Sequence, residues 1–105
     1  MIRHFVFFTA QKDDDLIAIR DGLRLLTQIP HAKRLEIALN RKSDPTSKEV
    51  DVIVYGEFAD DAALAAYKAH ALYAESIRRV KPLREMRHAA DYDAAQAFST
   101  AADDV

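Results

Sequence analysis

The pattern of apolar and polar residues predicts four β-strands separated by two helical regions. The strands are short segments rich in β-branched and aromatic residues, at residues 2–10, 34–40, 50–58 and 83–92. Apolar residues recur at three- and four-residue steps in residues 16–29 and 60–80, which indicates amphipathic helices. Asp13 to Asp15 offer capping oxygens and negative charge to the start of the first helix, and Pro30 ends it. The second region carries two offset apolar stripes, so it is either two helices or one bent helix.

The order βαββαβ predicts an α+β domain with the ferredoxin-like arrangement, a four-stranded antiparallel sheet with both helices on one face. The first and third strands are apolar on both faces. In the first strand, Phe5 and Phe7 alternate with His4, Val6 and Phe8. One copy of the chain has no element left to cover the second face, and a large apolar patch usually marks an interface. We therefore expect a twofold-symmetric homodimer that forms through the open sheet face.

Two glycines interrupt these patterns. Gly22 is unfavourable inside a helix, which indicates a close packing contact there. Gly56 lies in the third strand and indicates either a bulge or a close approach by another group.

The chain has 105 residues, half of them apolar and 30% charged, which is ordinary for a single globular domain. We assign residues 1–92 to this domain and the Ala-rich, acidic residues 93–105 to a C-terminal tail. The absence of cysteine excludes disulfides, zinc–thiolate sites, iron–sulfur clusters and thiol catalysis. The net charge of −2 gives no reason to expect nucleic acid as a partner. No apolar run could span a membrane and no signal-peptide pattern follows Met1, so we expect no membrane partner and a cytoplasmic location.

Three segments, in the right order, resemble the stress-responsive dimeric α/β-barrel domain family. Residues 2–8 look like the family's opening strand, in which a histidine lies between hydrophobic residues. Residues 67–73 resemble its Tyr-x-x-His-Pro-x-His motif at a helix break, and Asp91-Tyr92 matches the pair that commonly ends its last strand. The resemblance spans nearly the whole chain and implies a dimeric barrel with a cavity between each sheet and its helices.

The resemblance also implies roles for individual residues. His4 matches the strand histidine, Tyr67 and His70 match the tyrosine and first histidine of the motif, Ala71 replaces its proline, and Tyr73 replaces its last histidine. One plant member, olivetolic acid cyclase, closes a linear polyketide by aldol chemistry without a cofactor, with that last histidine as general base and the tyrosine positioning the substrate. A free phenol, with a pKa of about 10, is a poor base at neutral pH, whereas imidazole titrates at about 6.5. Tyr73 is therefore not equivalent to that base, and most family members have no assigned activity.

The candidate site comprises His4, Tyr67, His70 and Tyr73, and each residue has two interpretations. His4 is either a core histidine with one satisfied hydrogen bond or a base or hydrogen-bond donor in a ligand pocket. The other three are spaced three apart, so they either pack as one amphipathic face or converge on an apolar cavity that binds a small molecule. His88 lies on the strand expected beside the first and would approach His4. No recognised metal-binding spacing supports a site there, so we expect no metal.

Arg78, Arg79, Lys81, Arg84 and Arg87 form a basic run. They are either a solvated face at the C-terminus of a helix or a means of steering an anionic ligand. Because no aromatic residues are interleaved among them, the run does not indicate nucleic-acid binding.

Three functions remain open at this stage. The first is binding of a small, mostly apolar molecule in a pocket near His4, Tyr67 and Tyr73. The alternative is a cofactor-independent enzyme, polyketide cyclase-like or monooxygenase-like, with His4 or His70 as catalytic base and a tyrosine as acid or positioning group. The third is an assembly role in which the protein's own side chains fill the pocket. A cavity above about 300 Å³ would favour binding or catalysis, and a closed core would favour assembly.

Overall fold

The helices and strands form in the predicted order in a computed structural model, which describes residues 1–100. The strands are β1 (Ile2–Ala10), β2 (Arg34–Leu39), β3 (Val52–Phe58) and β4 (Arg84–Asp93). The helices are α1 (Leu16–Leu23), α2 (Asp61–Ala69) and α3 (Ala71–Val80). Short 3₁₀ turns cover Asp13–Asp15, Arg24–Gln28 and Ala94–Gln96. Residues 101–105 of the predicted tail lie outside the described residues. No helix within residues 1–100 has the length and apolar character needed to cross a membrane.

The sheet confirms the predicted ferredoxin-like arrangement. Its four strands are ordered β2-β3-β1-β4, and every neighbouring pair is antiparallel. Directly opposed residues project to the same face of an antiparallel sheet. His4 of β1 is opposed by Gly56 on one side and by Asp91 on the other, so these three positions share a face.

The core lies between this face of the sheet and the helices. Alternate residues of β1 and β3 are buried there, and they meet apolar side chains of the helices and of the 3₁₀ turn that follows α1. Val52, Phe58 and Ile19 are completely buried. Burial of each such side chain contributes about 1.5–3 kcal/mol.

The first helical region differs from the prediction at both ends. None of Asp13 to Asp15 makes a side-chain capping hydrogen bond, so the predicted capping is wrong. Asp15, the residue before α1, has a helical backbone (φ −90°, ψ −3°), whereas a capping side chain normally requires an extended one. After Leu23 the helix tightens into the 3₁₀ turn, which still buries Leu26 before the chain becomes extended at Ile29.

The second helical region is two helices, which settles the alternative that the sequence left open. The backbone is extended at His70 (φ −68°, ψ 145°), between α2 and α3. The Asp60 carboxylate accepts a hydrogen bond from Ala63 N at 2.8 Å and caps α2. The Nδ1 atom of His70 accepts one from Leu72 N at 3.0 Å and caps α3.

Both glycines lie at close contacts. A Cβ on Gly22 would stand 3.0 Å from a methyl group of Val80, so α1 and α3 pack closely there. A Cβ on Gly56 would stand 2.8 Å from the Phe58 ring and 3.1 Å from Leu35. The register of β3 runs without a shift through Gly56, so the cause is a close approach and not a bulge.

The opposite face of the sheet is lined by aromatic side chains. The ring of Phe5 lies 5.1 Å from that of Tyr55 and 6.0 Å from that of Tyr92, measured between centroids. Arg3 donates a hydrogen bond to the Tyr92 hydroxyl at 3.0 Å. Phe5 and Phe7 stay partly exposed in the single chain, so this face is apolar, as the sequence indicated.

Candidate functional site

A cleft between the sheet and the helices contains most of the predicted site residues. Its apolar wall comes from β1, β3, α1, α3 and the 3₁₀ turn after α1, and its polar residues are His4, Tyr67, Tyr73, Ser76, Lys81, Arg84 and Arg87. The total empty space is about 380 Å³ when the part open to solvent is included, but only about 30 Å³ is accessible to the centre of a water molecule. That volume is enough for about one or two waters. The cleft is therefore nearly closed, which by the volume criterion above favours the assembly role for this conformation, and binding of a larger molecule requires side chains to move.

His4 is, with Tyr67, one of the two most deeply buried polar residues of the cleft, and 1% of its surface is exposed. Its Nδ1 lies 2.5 Å from a carboxylate oxygen of Asp91. An ionised carboxylate only accepts hydrogen bonds. Nδ1 therefore carries a hydrogen atom and donates a hydrogen bond to the Asp91 carboxylate. In the neutral ring, Nε2 then keeps its lone pair. Nε2 is buried and has no hydrogen-bond partner within residues 1–100.

Tyr67 forms an aromatic cluster with His4 and Phe58. The Tyr67 ring lies 4.9 Å from Phe58 and 6.2 Å from His4 between centroids. The Phe58 ring occupies the space above Gly56, so the missing side chain of that glycine makes the cluster possible. Burial raises the pKa of the Tyr67 hydroxyl above its usual value, with a further increase from Tyr73 and an opposing effect from Arg87. The raised pKa keeps the hydroxyl neutral at physiological pH, so its proton is available for a hydrogen bond.

Tyr73 extends this cluster towards the mouth of the cleft. Its ring lies 5.3 Å from that of Tyr67, and its hydroxyl accepts a hydrogen bond from Arg87 at 3.3 Å. Ser76, one turn further along α3, is buried and also lines the cleft. The structure therefore brings together His4, Tyr67 and Tyr73.

His70 lies apart from these residues and does not line the cleft. Its ring nitrogen is engaged in capping α3, and its ring lies 6.1 Å from that of His31. The helix break therefore gives His70 a structural contact that the sequence spacing alone did not indicate.

The basic run divides into two groups. Arg78 and Arg79 both donate to Glu75, at 2.9 and 2.8 Å through their Nε atoms. These hydrogen bonds lower the pKa of the Glu75 carboxyl to about 2. The second group, Lys81, Arg84 and Arg87, lines the cleft, and none of its members forms an ion pair within residues 1–100.

Sequence reasoning identified Asp91 only as part of a motif and missed its contact with His4. The two strands were expected to be neighbours, but their register was not assigned, and only the register places Asp91 opposite His4. The same register shows that the predicted approach of His88 to His4 is wrong. His88 is opposed by Phe7 and projects to the other face of the sheet. In the described part of the chain, no three acidic or histidine side chains converge as metal ligands.

Comparisons with known proteins agree with this architecture. The model of one family, the stress responsive A/B barrel domain (Dabb), matches residues 2–94. A Dabb family protein with a ferredoxin-like fold from Mesorhizobium loti is 26% identical, has a TM-score of 0.73, and is matched over 88% of this chain and 94% of that one. A dimeric ferredoxin-like protein of unknown function from Jannaschia sp. CCS1 is 17% identical, with a TM-score of 0.77 over 88% of this chain and 97% of that one.

An antibiotic biosynthesis monooxygenase is also similar in structure, with 17% identity and a TM-score of 0.72 over 90% of this chain and 98% of its own. At such an identity the likeness shows a shared fold. A comparison with curated proteins gives no significant match.

Proposed function

Because the chain belongs to the stress responsive A/B barrel domain family, we propose that it binds a small, mostly apolar molecule in the cleft between its sheet and its helices. The observation that carries this proposal is the buried, unpartnered Nε2 of His4. A buried polar atom without any partner costs about 1–3 kcal/mol, and in the free protein a water can pair with Nε2 because the cleft has room for one or two. A ligand that donates a hydrogen bond to Nε2 would take the place of that water.

Because the cleft is nearly closed, a ligand would reach His4 only after side chains at the mouth move. The mouth is formed by Lys81, which is exposed, and by Arg84 and Arg87, which are partly buried. Ile77 beside them is 43% exposed. Such side chains change rotamer within nanoseconds, so the mouth can open without a change in the backbone.

We propose that the working form is a homodimer that buries the open sheet face of both copies. Similar structures include dimeric ferredoxin-like proteins, and the aromatic face around Phe5 has the apolar character that such an interface requires. Neither nucleic acid nor a membrane is proposed as a partner. We place the protein in the cytoplasm, and cell fractionation tests that location.

A second candidate function is cofactor-independent enzyme catalysis, which the His4–Asp91 pair favours. In this mechanism Nε2 of His4 removes a proton from carbon next to a substrate carbonyl, and the electron pair moves to the carbonyl oxygen. The neutral Tyr67 hydroxyl donates a hydrogen bond to that oxygen. Asp91 orients the ring and stabilises the imidazolium that forms. The enolate carbon then adds to a second carbonyl group of the substrate, and Nε2 gives its proton to the oxygen that forms there, which restores the neutral ring.

One set of experiments separates these functions. The protein is purified under non-denaturing conditions, extracted with organic solvent, and the extract is analysed by mass spectrometry. Any recovered compound is then titrated back and followed by NMR. We expect the resonances of Tyr67 and Tyr73 to shift, and we expect His4→Ala to weaken binding while His31→Ala, an exposed histidine outside the cleft, does not.

Turnover of the recovered compound distinguishes an enzyme from a binding protein. Loss of a general base lowers the rate by about 10²–10⁴-fold, so catalysis predicts that His4→Ala is nearly inactive. A compound that binds without being converted would exclude the enzyme. If no compound is recovered and no fragment of an aromatic or aliphatic library shifts the cleft resonances, the binding proposal is wrong and the assembly role is favoured.

A further inference from the structure

The mouth of the cleft carries three cations, and none of them is neutralised by an ion pair in the part of the chain that the structure describes. Lys81, Arg84 and Arg87 line one apolar cleft without an ion pair in residues 1–100, in a chain whose net charge is −2. Arg78 and Arg79, close to them in sequence, are both paired with Glu75. Cations in this region can therefore pair with a carboxylate, but within residues 1–100 the three cations of the mouth do not.

Stabilisation of a helix end explains only one of the three. Lys81 directly follows α3, where a cation interacts favourably with the C-terminal carbonyl groups. Arg84 and Arg87 lie on β4, opposite Ala10 and Phe8, on the face of the sheet that the helices cover. Neither position is at a helix end, and both guanidinium groups belong to the cleft.

The hydrogen bonding of Arg87 leaves most of its donors free. A guanidinium group has five N–H donors in a planar fork that matches a carboxylate. The contact from Arg87 to the Tyr73 hydroxyl is 3.3 Å long and uses one of these donors. Asp91, an acidic residue on the same face, is held by His4. A ligand anion would replace a weak contact with a charge-assisted one.

We infer that the ligand of the cleft is an organic acid, with its carboxylate bound by Arg87, Arg84 and Lys81 at the mouth and its apolar part against Val6, Leu26 and Val54. This inference rests on the proposed function and adds the charge of the ligand. It also sets the orientation, because a carboxylate held at the mouth directs the opposite end of the molecule towards His4, where a donor group such as a hydroxyl on the apolar body would pair with Nε2.

Matched pairs of acids and amides test the inference directly. The probes are 2-naphthoate with 2-naphthamide and octanoate with octanamide, titrated into the wild-type protein and followed by NMR and calorimetry. Because a hydrogen bond to a charged group is stronger than one to a neutral group, we expect each acid to bind about tenfold more tightly than its amide. The preference should decrease as sodium chloride is added, because salt screens the exposed cations.

Arginine variants test which residues cause the preference for acids over amides. Arg87→Met should lower the affinity for the acids about tenfold and that for the amides much less, because only the acids lose a charge–charge contact, and Arg84→Met should act in the same direction. Arg78→Met, which removes an ion-paired arginine outside the cleft, should change neither. Arg87→Lys should restore part of the preference, since the charge returns without the planar fork. Dispersed spectra establish that each variant is folded, and Arg84→Met replaces Arg87→Met if the latter is not.

The outcomes are distinct. If acids and amides bind equally, or if Arg78→Met has the same effect as Arg87→Met and Arg84→Met, the inference about charge is wrong while binding in the cleft stands. If neither member of either pair shifts the cleft resonances at millimolar concentration, the organic-acid inference is wrong. The proposed function then depends on the extraction experiment and the fragment library.

Discussion

Replacing Gly56 with alanine tests the packing that holds the candidate site. The added Cβ would stand 2.8 Å from Cε2 of Phe58. Carbon atoms in contact are about 3.5–4.0 Å apart, so the Phe58 ring must move by about 0.7 Å or more. That ring is completely buried and packs 4.9 Å from the Tyr67 ring, so it cannot move alone. Overpacking of this kind costs about 1–3 kcal/mol.

We expect Gly56→Ala to lower the free energy of unfolding by about 2 kcal/mol and Tm by about 10 °C. Urea unfolding and thermal melts followed by circular dichroism measure both values. The protein concentration must be held constant, because the stability of a dimer depends on it. The resonances of Tyr67 and His4 should shift as well, since Phe58 contacts both rings.

Gly22→Ala is the matched control. Its Cβ would meet Val80 at 3.0 Å, and alanine gains about 0.8–1 kcal/mol of helix propensity over glycine, so we expect little net change. The double variant Gly56→Ala with Phe58→Leu should recover part of the lost stability, because leucine vacates the contested space. If Gly56→Ala melts within about 2 °C of the wild type with unchanged Tyr67 resonances, the packing argument is refuted.

Three further predictions concern pH and assembly. Because the pKa of Tyr67 is raised in the folded state from its ordinary value of 10.0, the neutral hydroxyl stabilises the fold below pH 10, and this contribution is lost as pH rises through the raised pKa. Urea unfolding between pH 8 and pH 11 should therefore show a smaller alkaline loss in Tyr67→Phe than in the wild type, and equal losses would contradict the burial effect. The pKa of Glu75 is lowered from 4.5 to about 2, so its stabilisation is present above pH 4.5 and lost as pH falls through about 2. Glu75→Gln should destabilise at pH 7 and much less at pH 2, and an equal effect at both would argue against the ion pairs. Wild-type protein should show a mass of twice 11.8 kDa in light scattering, whereas Phe5→Asp should give the single-chain mass with a native circular dichroism spectrum. A dimeric Phe5→Asp variant would mean that the interface lies elsewhere.

The fold was predictable from the sequence because its signals are local and agree with one another. The apolar alternation of β1 and the three- and four-residue spacing after Leu16 each determine an element without knowledge of the rest. The sequence was less informative about whether the second helical region forms one helix or two. The break at His70 depends on two capping contacts, from Asp60 and from His70 itself, which stabilise separate helix starts.

The candidate site was only partly predictable, because its decisive contacts join distant parts of the chain. His4 and Asp91 are 87 residues apart and meet only through the register of β1 with β4. That register was not assigned from the sequence, so the face of the sheet that carries Asp91 and the face that carries His88 could not be predicted. The sequence interpretation also did not predict which cations of the basic run form ion pairs. Arg78 and Arg79 pair with Glu75 because they lie three and four residues after it on α3.

The double use of β1 restricts how this protein can evolve. Its nine residues supply the cleft with one alternating set of side chains and the aromatic face with the other. Substitutions can alter either set independently. A single-residue insertion or deletion in β1 would exchange the two sets, and would bring Phe5 into the interior and His4 out of it. Changes in length between related sequences should therefore concentrate in the exposed segment between β2 and β3, and β1 should keep its residue count even where most of its side chains differ.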